Sequence, residues 1–88
     1  MKKILLTLIA VIAISLCSSA QVGIGTTTPE PSAILDVSST THGLLLPRMT
    51  TVQRDAITTP ATGLFVYNLD TDCLNIFDGI LWKELCGL

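Results

Sequence analysis

Cys73 and Cys86 are the reactive pair of this sequence, and the first question is whether they act as thiols, as ligands or as a bridge. Neither sits in a C-x-x-C motif, and the single His42 is distant along the chain and reads as a solvated loop residue, so no base is at hand to activate a thiolate. The expectation is an intrachain disulfide worth about 2–4 kcal/mol, with two separate thiols as the alternative. Asp70, Asp72 and Asp78 are spaced rather like ligands of a hard cation. Calcium takes about six to eight oxygens, however, and the glycine and distal glutamate of an EF-hand loop are missing. Turn aspartates that bond their own backbone account for Asp70 and Asp78 more simply. Gly23-Ile24-Gly25 resembles the start of a nucleotide-binding loop, yet Pro29 and Pro31 stand where the helix should follow. Tyr67 and Trp82 could serve as sugar platforms; neither has a second aromatic clearly beside it, which favours packing. Arg48 and Asp55 offer an ion pair worth at most about 1 kcal/mol if exposed. No nucleophile–base pair, carboxylate dyad or metal cluster assembles from these residues, so the expectation is a non-enzymatic protein without a cofactor.

The elements that must position these side chains begin after a leader. Lys2 and Lys3 precede an apolar run from Ile4 to Leu16, followed by Cys17-Ser18-Ser19-Ala20. A basic start, an apolar stretch of about 7–15 residues and small residues at its end read as a secretory signal peptide over 1–20. A retained span needs about 18 or more apolar residues, so no membrane anchor is expected. Leu16 stands where lipoprotein processing wants a small residue. Beyond Ala20, three basic residues (Arg48, Arg54, Lys83) face seven acidic ones, a net charge of −4. Without a basic patch, nucleic acid and anionic membrane surfaces are excluded as partners. Export permits the disulfide and places the product in the periplasm or at the outer surface of a Gram-negative bacterium.

Residues 21–32, with Gly23, Gly25, Pro29 and Pro31, read as an extended lead-in segment. Residues 33–88 read as one small β-rich module. A first strand is expected over 32–37, then a turn whose positive-φ position falls on Gly43. Leu44-Leu45-Leu46 reads as a second extended run, leaving its sheet at Pro47. Thr50 and Gln53 form a capping box that opens a short helix near 51–57, with Val52 and Ala56 facing inward and Arg54 outward. Strands over 63–68, 73–77 and 80–85 make a meander. A two-residue turn at Asp78-Gly79 would pair Phe77 with Ile80, Asn75 with Trp82 and Cys73 with Glu84. Cys73 and Cys86 are then diagonal neighbours, about 7–8 Å apart at Cα, and a bridge would need a bulge or a frayed end.

The fold class is therefore mainly β with one short helix, a small extended meander intertwined in an oligomer. A chain of about 60 residues buries only about 60% of its unfolded surface. Leu44-Leu45-Leu46 and the strand Leu64 to Tyr67 are apolar on both faces, so a partner copy is expected to cover one of them. The candidate self-association residues are Leu44, Leu45, Leu46, Phe65, Tyr67 and Trp82. The alternative is a monomeric module that binds a surface glycan or a protein.

Most of the chain carries a resemblance. The segments GIGTTTP (23–29), SAILDV (32–37), GLLLPRMTTVQRDAI (43–57), PATGLFVYN (60–68) and FDGILW (77–82) resemble the N-terminal module of many exported Bacteroidota proteins and phage tail-fibre-like proteins. The resemblance implies surface or fibre proteins that trimerise, with the module preceding a larger distal region. Here the sequence stops shortly after Trp82, which suggests a standalone copy, a truncated one or a small subunit.

Overall fold

A computed structural model describes residues 1–17 and 20–87. The apolar leader forms helix α1, Lys2–Cys17. Among the described residues no helix is long and apolar enough to cross a membrane. Ser18 and Ser19, within the expected cleavage region, lie outside the described residues. The chain forms two compact units, Met1–Gly43 and Leu44–Leu88.

In the first unit, β1 (Val22–Ile24) pairs in parallel with β2 (Leu35–Val37), Val22 opposite Leu35 and Ile24 opposite Val37. Sequence reasoning gives the lead-in segment no partner, because a parallel return normally needs a longer crossover with a helix. Two features allow the short one. Gln21 Nε2 donates to the carbonyls of Glu30 (2.9 Å) and Ala33 (2.8 Å), and the Asp36 carboxylate accepts from the Glu30 N–H at 2.9 Å. Gly23 then admits the returning loop, since a Cβ there would lie 2.7 Å from Pro29 Cγ and 2.8 Å from the Thr26 carbonyl oxygen. Gly25 has φ +77°, and a Cβ would run into the Ser38 carbonyl. Gly43, by contrast, does not take a positive φ, correcting that expectation.

The second unit is a four-stranded sheet in the order β3-β4-β5-β6, with β3 Arg48–Met49, β4 Phe65–Asn68, β5 Cys73–Phe77 and β6 Trp82–Leu85. Leu44-Leu45-Leu46 is not a strand. The pairing segment starts after Pro47, whose carbonyl accepts from Tyr67 N at 2.9 Å. Proline removes a donor but keeps an acceptor, and an edge strand tolerates that. Helix α2, Thr51–Asp55, opens on the expected box: Thr50 Oγ1 accepts from Gln53 N (3.2 Å), and Gln53 Oε1 from Thr50 N (2.9 Å).

The β5–β6 hairpin differs from expectation by two positions. Its loop is Asp78–Leu81, closed by Asp78 N donating to the Leu81 carbonyl at 3.0 Å. The Asp78 carboxylate also accepts from Ile80 N (2.8 Å) and Leu81 N (2.7 Å), which makes the wider loop a self-satisfied turn. Phe77 therefore faces Trp82, Asn75 faces Glu84, and Leu74 faces Leu85. One step further, Cys73 meets Cys86 directly at a Cα separation of 5.0 Å and the two form a disulfide. That distance suits a bridge without a bulge or frayed end.

Candidate functional site

Strand residues alternate between the two faces of a sheet, and the two faces of this sheet differ in kind. One carries Val66, Asn68, Cys73, Asn75, Phe77, Trp82 and Glu84, and α2 lies on it. Val66 and Cys73 are the only buried apolar residues among the described ones, and Asn68 and Asn75 are completely buried. Burying two amides requires partners for their polar atoms. Asn68 Nδ2 donates to Thr51 Oγ1 (2.9 Å) and to Asn75 Oδ1 (3.1 Å), while Arg54 Nη1 donates to the same Asn75 oxygen at 2.8 Å. Arg54 also pairs with Asp55 at 2.9 Å and Glu84 at 3.8 Å, and its guanidinium lies 5.5 Å from the centroid of Trp82. Trp82 in turn meets Phe77 edge-on, centroids 5.3 Å apart.

This reverses the expected orientation of α2. Arg54 points inward, with 12% of its side chain exposed, and Val52 points outward at 78%. The reason is that the helix covers amides rather than hydrocarbon. Two asparagines in the middle of strands, where the residue is depleted, were the available sign. Asp55 pairs with Arg54 instead of Arg48. Asp70 bonds the Thr51 N–H of α2 at 2.9 Å rather than its own turn. Cys73, Glu84 and Cys86 bring ligand atoms within 4.8 Å of one another, but the two sulfurs are bonded to each other.

The opposite face carries Phe65, Tyr67, Leu74, Ile76, Lys83 and Leu85. Phe65 and Leu85 are each 42% exposed, Tyr67, Leu74 and Ile76 are half-buried, and among the described residues no helix of this unit lies on this face. Leu44, Leu45 and Leu46 join Arg48, Tyr67 and Leu74 around an open groove of about 420 Å³. Of the six self-association candidates, five (Leu44, Leu45, Leu46, Phe65 and Tyr67) belong to this side. Trp82 belongs to the other, beneath Arg54. Tyr67 and Trp82 thus stand on opposite faces and cannot form one sugar platform. Leu74, Ile76 and Leu85 complete the apolar face and were missed; the period-2 alternation of 74 and 76 with Asn75 could have identified the first two.

A sheet closed on one side by a polar clasp and open on the other with aliphatic and aromatic side chains defines a module built to associate. The comparison with known families agrees: residues 23–87 match the phage tail like trimerisation region. The chain belongs to that family, and it is a self-associating, non-enzymatic structural module. No curated protein and no solved structure matches the chain.

Proposed function

We propose that residues 1–20 are a signal peptide and that residues 21–88 assemble outside the cytoplasm as a homotrimer, a tail-fibre-like component of the kind found in exported Bacteroidota surface proteins. The observation that carries this reading is the apolar face of the sheet. Leu44 and Leu45 are 67% and 68% exposed beside it, and Phe65, Tyr67, Leu74, Ile76 and Leu85 line it. Exposed apolar surface of this continuity is the usual mark of an interaction site. The strands on this face present no carboxylate, and its charges, Arg48 and Lys83, are cationic in a chain whose net charge is negative. Light scattering of the purified protein at micromolar concentration should give three chains per particle. Leu74→Asp should give single chains that retain the Cys73–Cys86 bridge. A monodisperse monomer from the unsubstituted protein would sink the reading.

A further inference from the structure

The first unit carries an apolar face of its own. Val22, Ile24, Leu35 and Val37 project from the same side of the β1–β2 ribbon, in two layers, Val22 with Leu35 and Ile24 with Val37. Their exposures are 52%, 56%, 52% and 40%. The other side of the ribbon is closed by the chain itself: the returning loop lies against Gly23, and Asp36 is bonded to Glu30. Parallel strands occur almost exclusively where both faces are covered, and a two-stranded ribbon has little stability alone.

We infer that this quartet is a second self-association surface, whose occupants are the same four residues of neighbouring copies. The family match begins at Gly23 and so takes in Ile24 and all of β2, three of the four quartet residues, as part of a trimerisation region. The quartet is uncharged, so identical copies meet without repulsion between like charges. A rotation axis brings equivalent residues to the same height, so each layer of one copy faces the same layer of the next, and aliphatic side chains meet at both levels. The inference rests on the assembly proposed above but concerns a different surface.

The test is crosslinking in the full chain with Cys17→Ser, which leaves the bridged cysteines as the only others. Val37→Cys treated with a short bismaleimide at micromolar protein should form covalent dimers, the one product that a single free thiol per chain allows. Residues held together in an assembly experience effective concentrations in the millimolar range, so linking should be about a thousandfold faster than between free molecules at micromolar concentration. Val52→Cys, outward on α2, is the exposed comparison. If particles contain three chains yet Val37→Cys links no faster than Val52→Cys, the quartet is not an interface while the assembly stands. If the parent chain is monomeric by light scattering, both fall. A second variant, Ile24→Asp, should lower the fraction of assembled chains, with the hydrogen-exchange protection of β4–β6 unchanged; full assembly with Asp at this position overturns the inference.

Discussion

The two units meet the same difficulty by different means. Each has too little chain to cover both sides of its strands, and each closes one side and leaves the other apolar. The ribbon closes its back by backbone proximity, which works because Gly23 and Gly25 have no Cβ to obstruct the loop and Ser38. The sheet closes its back with side chains, through Arg54, two buried amides and a covalent bridge. Each sheet contact has an identifiable partner, so its closed side tolerates no free substitution at those positions. The ribbon depends instead on what two residues lack. Both open faces are predominantly apolar, whereas the closed faces are individually specified.

The strongest way to break this contrast is to remove the bridge. Replacing Cys73 and Cys86 together with alanine should cost the sheet about 3 kcal/mol, the value for a short closed loop. Native-state hydrogen exchange should show the loss first at β6, because the bridge ties its end to β5. Amides of β1–β2 should keep their protection. An equal loss there would mean that the units do not fold separately.

Next in size is Arg54→Ala, which strips a charged donor from Asn75 and leaves Glu84 without its cation. A hydrogen bond to a charged group contributes roughly 1.5–3 kcal/mol, and the 12% exposure of this side chain places the loss toward the middle of that range, about 2 kcal/mol. Urea denaturation measures it. Arg54→Lys should recover only part, because an ammonium cannot reach Asn75, Asp55 and Glu84 with one planar fork. A full recovery by lysine would show that charge alone holds the helix.

Those residues also mark where the sequence was readable. Runs of aliphatic and aromatic residues bounded by turn signals identify the two central strands, Phe65–Asn68 and Cys73–Phe77, and Thr50 with Gln53 places the helix start. Arg54 defeats the same reasoning, since helix periodicity sends charge outward unless the target is polar, and Asn68 and Asn75 become a target only when two strands are brought side by side. The hairpin register was hidden for a related reason. Asp78-Gly79 is a strong signal for a tight turn, and the carboxylate's two bonds to Ile80 and Leu81 outweigh it. The strand at Leu35–Val37 was legible, but its parallel partner Val22–Ile24 was not. Its determinants are close approaches at Gly23 and Gly25, visible only in three dimensions.

The ribbon can be tested at Gly25. Alanine at φ +77° costs roughly 1–3 kcal/mol for a non-glycine residue, and its Cβ must also displace the Ser38 carbonyl. Loss of about 2 kcal/mol in this unit, seen as faster exchange of Ser38 N–H, should leave the sheet unaltered. The Ser38 amide is the reporter because it donates to the Ile24 carbonyl at 2.8 Å. If Gly25→Ala exchanges like the parent, backbone proximity is not what closes the ribbon.

The smallest expected effect concerns acid, and it separates the hairpin loop from the bridge. Bonds from Leu81 N and then Ile80 N, with Lys83 Nζ at 3.3 Å adding less, hold the Asp78 carboxyl below its ordinary value. Because folding depresses this pKa, the carboxylate's contribution is fully present above the unfolded value near 3.9 and disappears as pH falls through the lower folded value. The group is open to water, so the effect on stability is slight; the amide shifts of Ile80 and Leu81 are the sensitive measurement. Both should move together with a midpoint below the usual aspartate range. Asp78→Asn keeps an oxygen acceptor without the titration, so its loop should stay closed and the midpoint should vanish. The Cys73–Cys86 pairing should persist through the titration in either chain, because the bridge holds the register from the other end of the hairpin. A change in β5–β6 pairing at low pH with the bridge intact would mean that the loop, and not the disulfide, sets which residues face each other.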